Sequence, residues 1–387
     1  MTLGKKIYIY VALSFIVIAN YSLGTFFLPA LPAIGSYFNA PKYDSQLAYP
    51  LILLGSSLAY IYVGALSDSY GAKKTLLIQI FLYFLSFLTC FLSGSMVIFL
   101  VGVFIQGVSS YYTLIVRYCK VQLDLDVVQL LSILAFVGTV FIPLNALLSG
   151  YLAHYNWRYI FILWMIISVC SLLFVYFLPT KPSVTYVKFR FVDYAKNFKF
   201  FFTNKLFNEY LIAMVTIGSI NAIFYTLSPH IFITDFGLSA NVYASYLFIP
   251  TAGLLIGYIL TPIIKNRYGQ SRCILTGQFI AFFSIFSFVV IFYFVPSPFI
   301  FMGLMAVFMI SYPMVTTNVY IQVMGINASL AGSGLSFISV GLNLLNGGVG
   351  FTAAKQDGEQ MGILMLVILV VGFSIYHYLS RQRILKK

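Results

Sequence analysis

The chain is written mostly in long apolar runs. Twelve of them recur with short polar breaks between, at 7–28, 47–66, 75–92, 96–118, 127–152, 159–178, 206–227, 243–264, 273–294, 298–321, 328–351 and 361–379. Each is close to the ~20 residues that a helix needs to cross a hydrocarbon layer. The apolar positions are continuous rather than alternating, which predicts helices and argues against the two-residue period of an outer-membrane barrel. The fold class expected is all-α integral membrane. The first run has no small-residue cleavage site and eleven more follow it, so it is expected to be a retained span.

Composition strengthens this picture, since a chain that is 61% hydrophobic and 8% charged could not hide its apolar surface inside a soluble fold. Charge then orients it. Of the 22 basic residues, all but Lys42, Arg158 and Lys355 fall on one side of the span map, the positive-inside bias. Both termini are therefore expected in the cytoplasm, with the chain multi-pass in the inner (cytoplasmic) membrane. The net charge of +13 belongs with the lipid bilayer and not with nucleic acid. Cys90, Cys119, Cys170 and Cys273 lie in or at the ends of different spans without paired spacing, so no disulfide or metal framework is implied.

The longest connection divides the spans six and six, giving expected bundles at 1–180 and 206–387 and a cytoplasmic linker at 181–205. Its Lys181, Lys188, Arg190, Lys196, Lys199 and Lys205 against the single acid Asp193 predict a surface segment on anionic headgroups. The halves share a faint repeat. Asp68-Ser69-Tyr70-Gly71-Ala72-Lys73-Lys74 aligns with Asn266-Arg267-Tyr268-Gly269-Gln270-Ser271-Arg272 at a constant offset of 198 residues, Gly71 to Gly269.

The segment Gly64-Ala65-Leu66-Ser67-Asp68-Ser69-Tyr70-Gly71-Ala72-Lys73-Lys74 resembles the signature between helices 2 and 3 of the major facilitator superfamily. Physically, Gly64 permits close helix approach, Gly71 permits a tight turn, and Lys73 and Lys74 anchor the loop at headgroups. Asp68 needs a cation or a helix N-terminus beside it. The start of span 11, near Asn327-Ala328-Ser329, is the partner that the resemblance implies in a gate that holds the cytoplasmic side closed, with Lys73, Lys74 and Arg117 as the alternative partners. Leu28-Pro29-Ala30-Leu31-Pro32, Trp157-Arg158-Tyr159-Ile160-Phe161, Ser228-Pro229 and Ala331-Gly332-Ser333-Gly334 resemble, in order, the bicyclomycin-resistance type of twelve-helix drug:proton antiporters. The resemblance covers nearly the whole chain. It implies two six-helix bundles, alternating access, no cofactor, and proton-coupled efflux of a drug-like or metabolite substrate.

Three departures bear on coupling. The acid expected three residues before the Leu-Pro-Ala-Leu-Pro run is Thr25, the arginine expected in helix 4 is Val103, and the helix 5 motif is reduced to Pro143, Asn145, Ser149 and Gly150. None of the nine acids lies near the middle of a predicted span, and Glu209 and Asp68 are the nearest candidates for proton coupling.

The resemblance also implies that helices 1, 4, 7 and 10 line the substrate cavity. The candidates there are Asn20, Thr25, Gln106, Tyr112, Asn221, Tyr225, Tyr312 and Asn318. Amide, hydroxyl and phenol groups suit a neutral, zwitterionic or weakly polar aromatic solute. His230 is expected to be partly exposed, Pro143 and Pro313 to kink helices 5 and 10, and Gly332, Gly334, Gly347, Gly348 and Gly350 to give helix 11 a close-packing face. Nothing resembles an enzyme signature, so the expected partners are a small molecule, protons and the bilayer, with the chain a monomer. A dedicated exporter of an endogenous product such as a siderophore, and a nutrient uptake permease, are the alternatives.

Overall fold

Apolar segments without water must satisfy their backbone groups internally, and the chain does so almost entirely as helices. The computed structural model describes residues 3–21, 23–123, 127–180, 191–327, 330–356 and 358–384. The helices are α1 (Leu3–Tyr21), α2 (Leu31–Tyr37), α3 (Lys42–Gln46), α4 (Ala48–Tyr70), α5 (Ala72–Phe91), α6 (Met96–Val108), α7 (Tyr112–Gln122), α8 (Val127–Tyr155) and α9 (Arg158–Phe177). They continue as α10 (Phe191–Thr203), α11 (Lys205–His230), α12 (Ala240–Tyr246), α13 (Phe248–Tyr268), α14 (Gln270–Phe294), α15 (Pro298–Ile326), α16 (Ala331–Ala353) and α17 (Gly358–Ile384). Among the described residues, 11 stretches are long and apolar enough to cross a membrane, and Ile7–Tyr21 is a shorter apolar helix.

The chain forms two compact units, Met1–Arg190 and Phe191–Lys387. Of the stretch expected to be a linker, 181–190 lies outside the described residues, and 191–203 is α10 of the second unit. α8 and α15 run on through Pro143 and Pro313.

The repeat is visible as geometry. Gly71 joins α4 to α5 with φ +86°, and Gly269 joins α13 to α14 with φ +86°, a backbone region that favours glycine. The Gly71 amide donates to Ser67 O at 3.0 Å and the Gly269 amide to Lys265 O at 2.8 Å, the same bond 198 positions apart. The same offset recurs in the packing. A Cβ on Gly55 would collide with the backbone of Phe104 and, at 2.8 Å, with Val108 N on α6; one on Gly253 would collide with Ala306 backbone on α15. These glycines let α4 cross α6, and α13 cross α15, at backbone contact. Gly64, expected to serve that purpose, has nothing within 4 Å of where its Cβ would be. The close crossing lies two and a half turns earlier, where Gly107 supplies the facing small residue.

In the first unit, α5 and α9 cap one another. The Lys73 Nζ, near the start of α5, donates to Tyr176 O (2.8 Å) and Leu178 O (2.6 Å) at the end of α9. At the opposite end Arg158, the first residue of α9, donates from Nε to Phe91 O (3.1 Å) and from Nη2 to Ser93 O (3.1 Å). Its guanidinium also lies over the Tyr37 and Trp157 rings, at 4.7 and 4.4 Å. Helix C-termini carry unpaired carbonyls and partial negative charge, which is what a lysine or arginine satisfies. Lys73 thus caps the end of α9, while Lys74 is exposed.

Candidate functional site

The first unit gathers its polar groups where two spans are interrupted. Helix 1 does not run through to Leu28 as expected: α1 stops at Tyr21, the chain turns across 23–27, and a 3₁₀ turn follows at Leu28–Ala30. Gly24 makes the turn with φ +83°, and a Cβ there would meet Ile52 and Tyr49 at 3.2–3.3 Å. Helix 4 is likewise divided, because α6 ends at Val108 and α7 starts at Tyr112. The intervening Ser109 is buried and donates to Gln106 O at 2.8 Å, closing the end of α6 with its own hydroxyl.

The two interruptions meet. Tyr21 and Tyr112 pack edge to face at 5.4 Å between ring centroids, with the Tyr21 hydroxyl donating to Tyr112 at 3.5 Å. Gly138 of α8 presses on the Tyr21 ring, since a Cβ there would lie 2.6 Å from it. The carbonyls near the end of α1 are answered by phenols: Tyr83 donates to Ala19 O (3.2 Å) and Tyr111 to Ile16 O (3.4 Å). Non-helical backbone at membrane depth is tolerated where protein or a water-lined cavity satisfies it, and broken helices often mark binding sites. Asn20 and Thr25 flank this break, 8% and 6% exposed.

Gln106 is not brought to that tyrosine pair. It is fully buried and points its Nε2 at Cys90 Sγ of α5, 3.8 Å away. In the second unit, Asn221 and Tyr225 are half-buried one turn apart on α11, as is Tyr312 on α15. Asn318 of α15 is fully buried and donates back to Met314 O at 2.8 Å. One observation unites the four amide residues. Asn20 Nδ2, Gln106 Oε1, Asn221 Oδ1 and Asn318 Oδ1 are each buried without a hydrogen-bond partner among the described residues. Leaving such an atom unpaired costs about 1–3 kcal/mol, so each is a place where a solute or water hydrogen bond would be gained.

Among the acids whose side chains are described, Asp44 is half-buried and Asp235 exposed, whereas Glu209, in the second turn of α11, is only 2% exposed. His230 is 4% exposed, buried rather than the partly exposed residue expected. The reason is local. α11 continues through Pro229 to His230 and passes into a π-turn at Ile231–Asp235, keeping this end packed, with Ser228 and Tyr243 sharing a 2.8 Å hydrogen bond. The Asp68 side chain and residues 328–329 of its expected partner lie outside the described residues. Gly64 O accepts from Arg117 Nη1 at 3.5 Å.

Sequence inspection singled out the amides and the motif glycine Gly71. It missed Gly24 and Gly138, whose signal is a small residue inside an apolar run, and Tyr83, which a pattern of apolar positions treats as core.

Comparison with known proteins gives a consistent result. The chain matches the family model described as Major Facilitator Superfamily over residues 13–351. It is 24% identical over 253 residues to the chloramphenicol resistance protein CraA of Acinetobacter baumannii, covering 64% of this chain and 61% of that protein. It is 22% identical over 272 residues to the multidrug resistance protein MdtL of Escherichia coli, covering 68% of each. An uncharacterized transporter of Rickettsia felis is 23% identical, over 66% of this chain and 64% of its own length, so the match spans a little under two thirds of that relative. Among solved structures, the inward-open xylose transporter XylE from E. coli superposes with a TM-score of 0.74 at 14% identity, covering 97% of this chain and 95% of that one. The nucleoside transporter NupG superposes with a TM-score of 0.71 at 14% identity, covering 98% and 99%.

Proposed function

This chain belongs to the Major Facilitator Superfamily and is a multi-pass membrane transporter rather than an enzyme, and from that premise we propose that it exports an uncharged or weakly polar aromatic solute in exchange for protons. The observation that carries the proposal is the set of buried, unpartnered amide atoms on Asn20, Gln106, Asn221 and Asn318. Asn20, at the break beside the Tyr21–Tyr112 pair, and half-buried Asn221, one turn from Tyr225, are the two proposed to meet the solute. Phenol faces and amide edges favour an aromatic compound that carries its own hydroxyl or amide. Gln106 and Asn318, held among Cys90 and Met314 in the interiors of their units, are proposed to brace the helices that carry Tyr112 and Tyr312. Thr25 completes the proposed set.

Export is supported by relatives whose names refer to drug resistance, and chloramphenicol, a neutral aromatic amide, is the first compound to test. Glu209 is the proposed proton carrier, as the most deeply buried of the acids whose side chains are described. Asp68 remains the second candidate. The proposed setting is the inner membrane, both termini cytoplasmic, with the chain a monomer. Expression in a host lacking its own drug exporters tests the proposal. Accumulation of chloramphenicol and of a panel of neutral aromatic compounds should fall for at least one of them, and the fall should vanish when the proton gradient is collapsed. Unchanged accumulation across the panel, with the protein present in the membrane, would overturn it.

A further inference from the structure

α10 has two faces of different chemistry. Phe201 is buried against Phe207 in the first turn of α11 (5.3 Å) and against Phe337 of α16 (5.8 Å). Gly334 makes room for it, since a Cβ there would lie 3.0 Å from the Phe201 ring. Phe202 packs on Phe207 at 5.3 Å. At helical spacing the opposite face carries Lys196, Lys199, Phe200 and Thr203, all exposed, with Phe200 at 41%. A large ring on the same exposed face as two lysines is unfavourable in water and favourable at the boundary between headgroups and acyl chains.

The helix cannot stray from that boundary. Asn204 ends α10 and caps α11, its Oδ1 accepting from Leu206 N (2.9 Å) and Phe207 N (3.2 Å), so a membrane span begins directly after it. The polar layer on each side of a bilayer is roughly 5–8 Å deep, comparable with the radius of a helix. Lys188, Arg190 and Lys205 add positive charge to either side along the chain, against the one acid Asp193.

We propose that α10 is a docking element for anionic phospholipid. Lys196 and Lys199 take the lipid phosphates and Phe200 enters the upper acyl region, while Phe201 and Phe202 hold the helix to the ends of α11 and α16. This stands independently of which solute is carried.

Phe200→Trp places a reporter at the contact, the native indoles of Trp157 and Trp164 being buried in the other unit. The full chain is reconstituted in vesicles of phosphatidylcholine, alone or mixed with phosphatidylglycerol in both leaflets, with brominated acyl chains as quencher. Emission should shift to the blue and be quenched when phosphatidylglycerol is present, and less so in high salt. Lys196→Gln and Lys199→Gln should each lower the seated-to-released ratio about fivefold. Association of spin-labelled phosphatidylglycerol with the native chain and with the double lysine variant gives the same comparison without the tryptophan. Quenching that ignores lipid charge and both lysines would mean a neutral lipid contact and would overturn the proposal, as would an indole beyond the quencher's reach in every lipid.

Discussion

Lys73 and Arg158 show how a basic residue at a span end can tie two helices together. Each stands at the first turn of one helix and satisfies the carbonyls at the end of its antiparallel neighbour, so α5 and α9 are tied at both ends. Arg158→Met removes charged hydrogen bonds to Phe91 O and Ser93 O and should destabilise the protein by about 1.5–3 kcal/mol, read by thermal unfolding in detergent. Lys74→Met, at an exposed position, should leave the transition where it was. The sequence located both residues at span ends but could not say which carbonyls they face, because that depends on how α5 lies along α9. Gly71 was legible for the opposite reason: a tight turn makes its demand on one residue, and φ +86° meets it. At the same scale, Glu209→Gln should flatten the pH dependence of transport, the folded protein being retained. A pH profile unchanged in Glu209→Gln, in Asp68→Asn and in the double variant would remove both carboxyls from coupling.

The elements that matter most are the ones that stop early. An apolar pattern reads 7–28 and 96–118 as unbroken because Phe26, Phe27 and Leu28 are as apolar as what precedes them, and the interruption is made by one positive-φ glycine in the first case and by Ser109 in the second. Gly24→Ala should cost about 1–2 kcal/mol for the left-handed backbone alone, before the contacts with Ile52 and Tyr49 are counted. If the break serves the solute, that variant should also lose transport beyond its loss of stability. The crossings of α4 with α6 and of α13 with α15 give a sharper pair. Gly55→Ala and Gly253→Ala drive a methyl group into backbone and should prevent normal folding or cost about 1–3 kcal/mol or more, whereas Gly64→Ala should be neutral for stability. Expression level and unfolding temperature separate them. The 198-residue offset was readable at the turn glycines, yet Gly55 and Gly253 escaped notice, since a lone glycine in a span carries no mark of what crosses it.

For the molecule as a whole, the all-helical spanning class and the superfamily were both legible, because lipid permits few solutions to the backbone problem and the Gly64–Lys74 motif adds a specific signature. Substrate identity was not, since amides and phenols accommodate many solutes. Orientation remains a proposal from charge, and cysteines placed at Lys42 and Lys196 should label from opposite sides of the membrane; labelling from the same side would reverse part of the span map. The central proposal is that Asn20 in the first unit and Asn221 in the second are each hydrogen-bonding positions for a solute. It is tested most directly by the affinity, in purified Asn20→Ala and Asn221→Ala proteins, for the compound that the expression screen identifies. Each variant should bind at least about fivefold more weakly than the native chain, the equivalent of about 1 kcal/mol for a lost hydrogen bond. Native affinity in both would contradict the account.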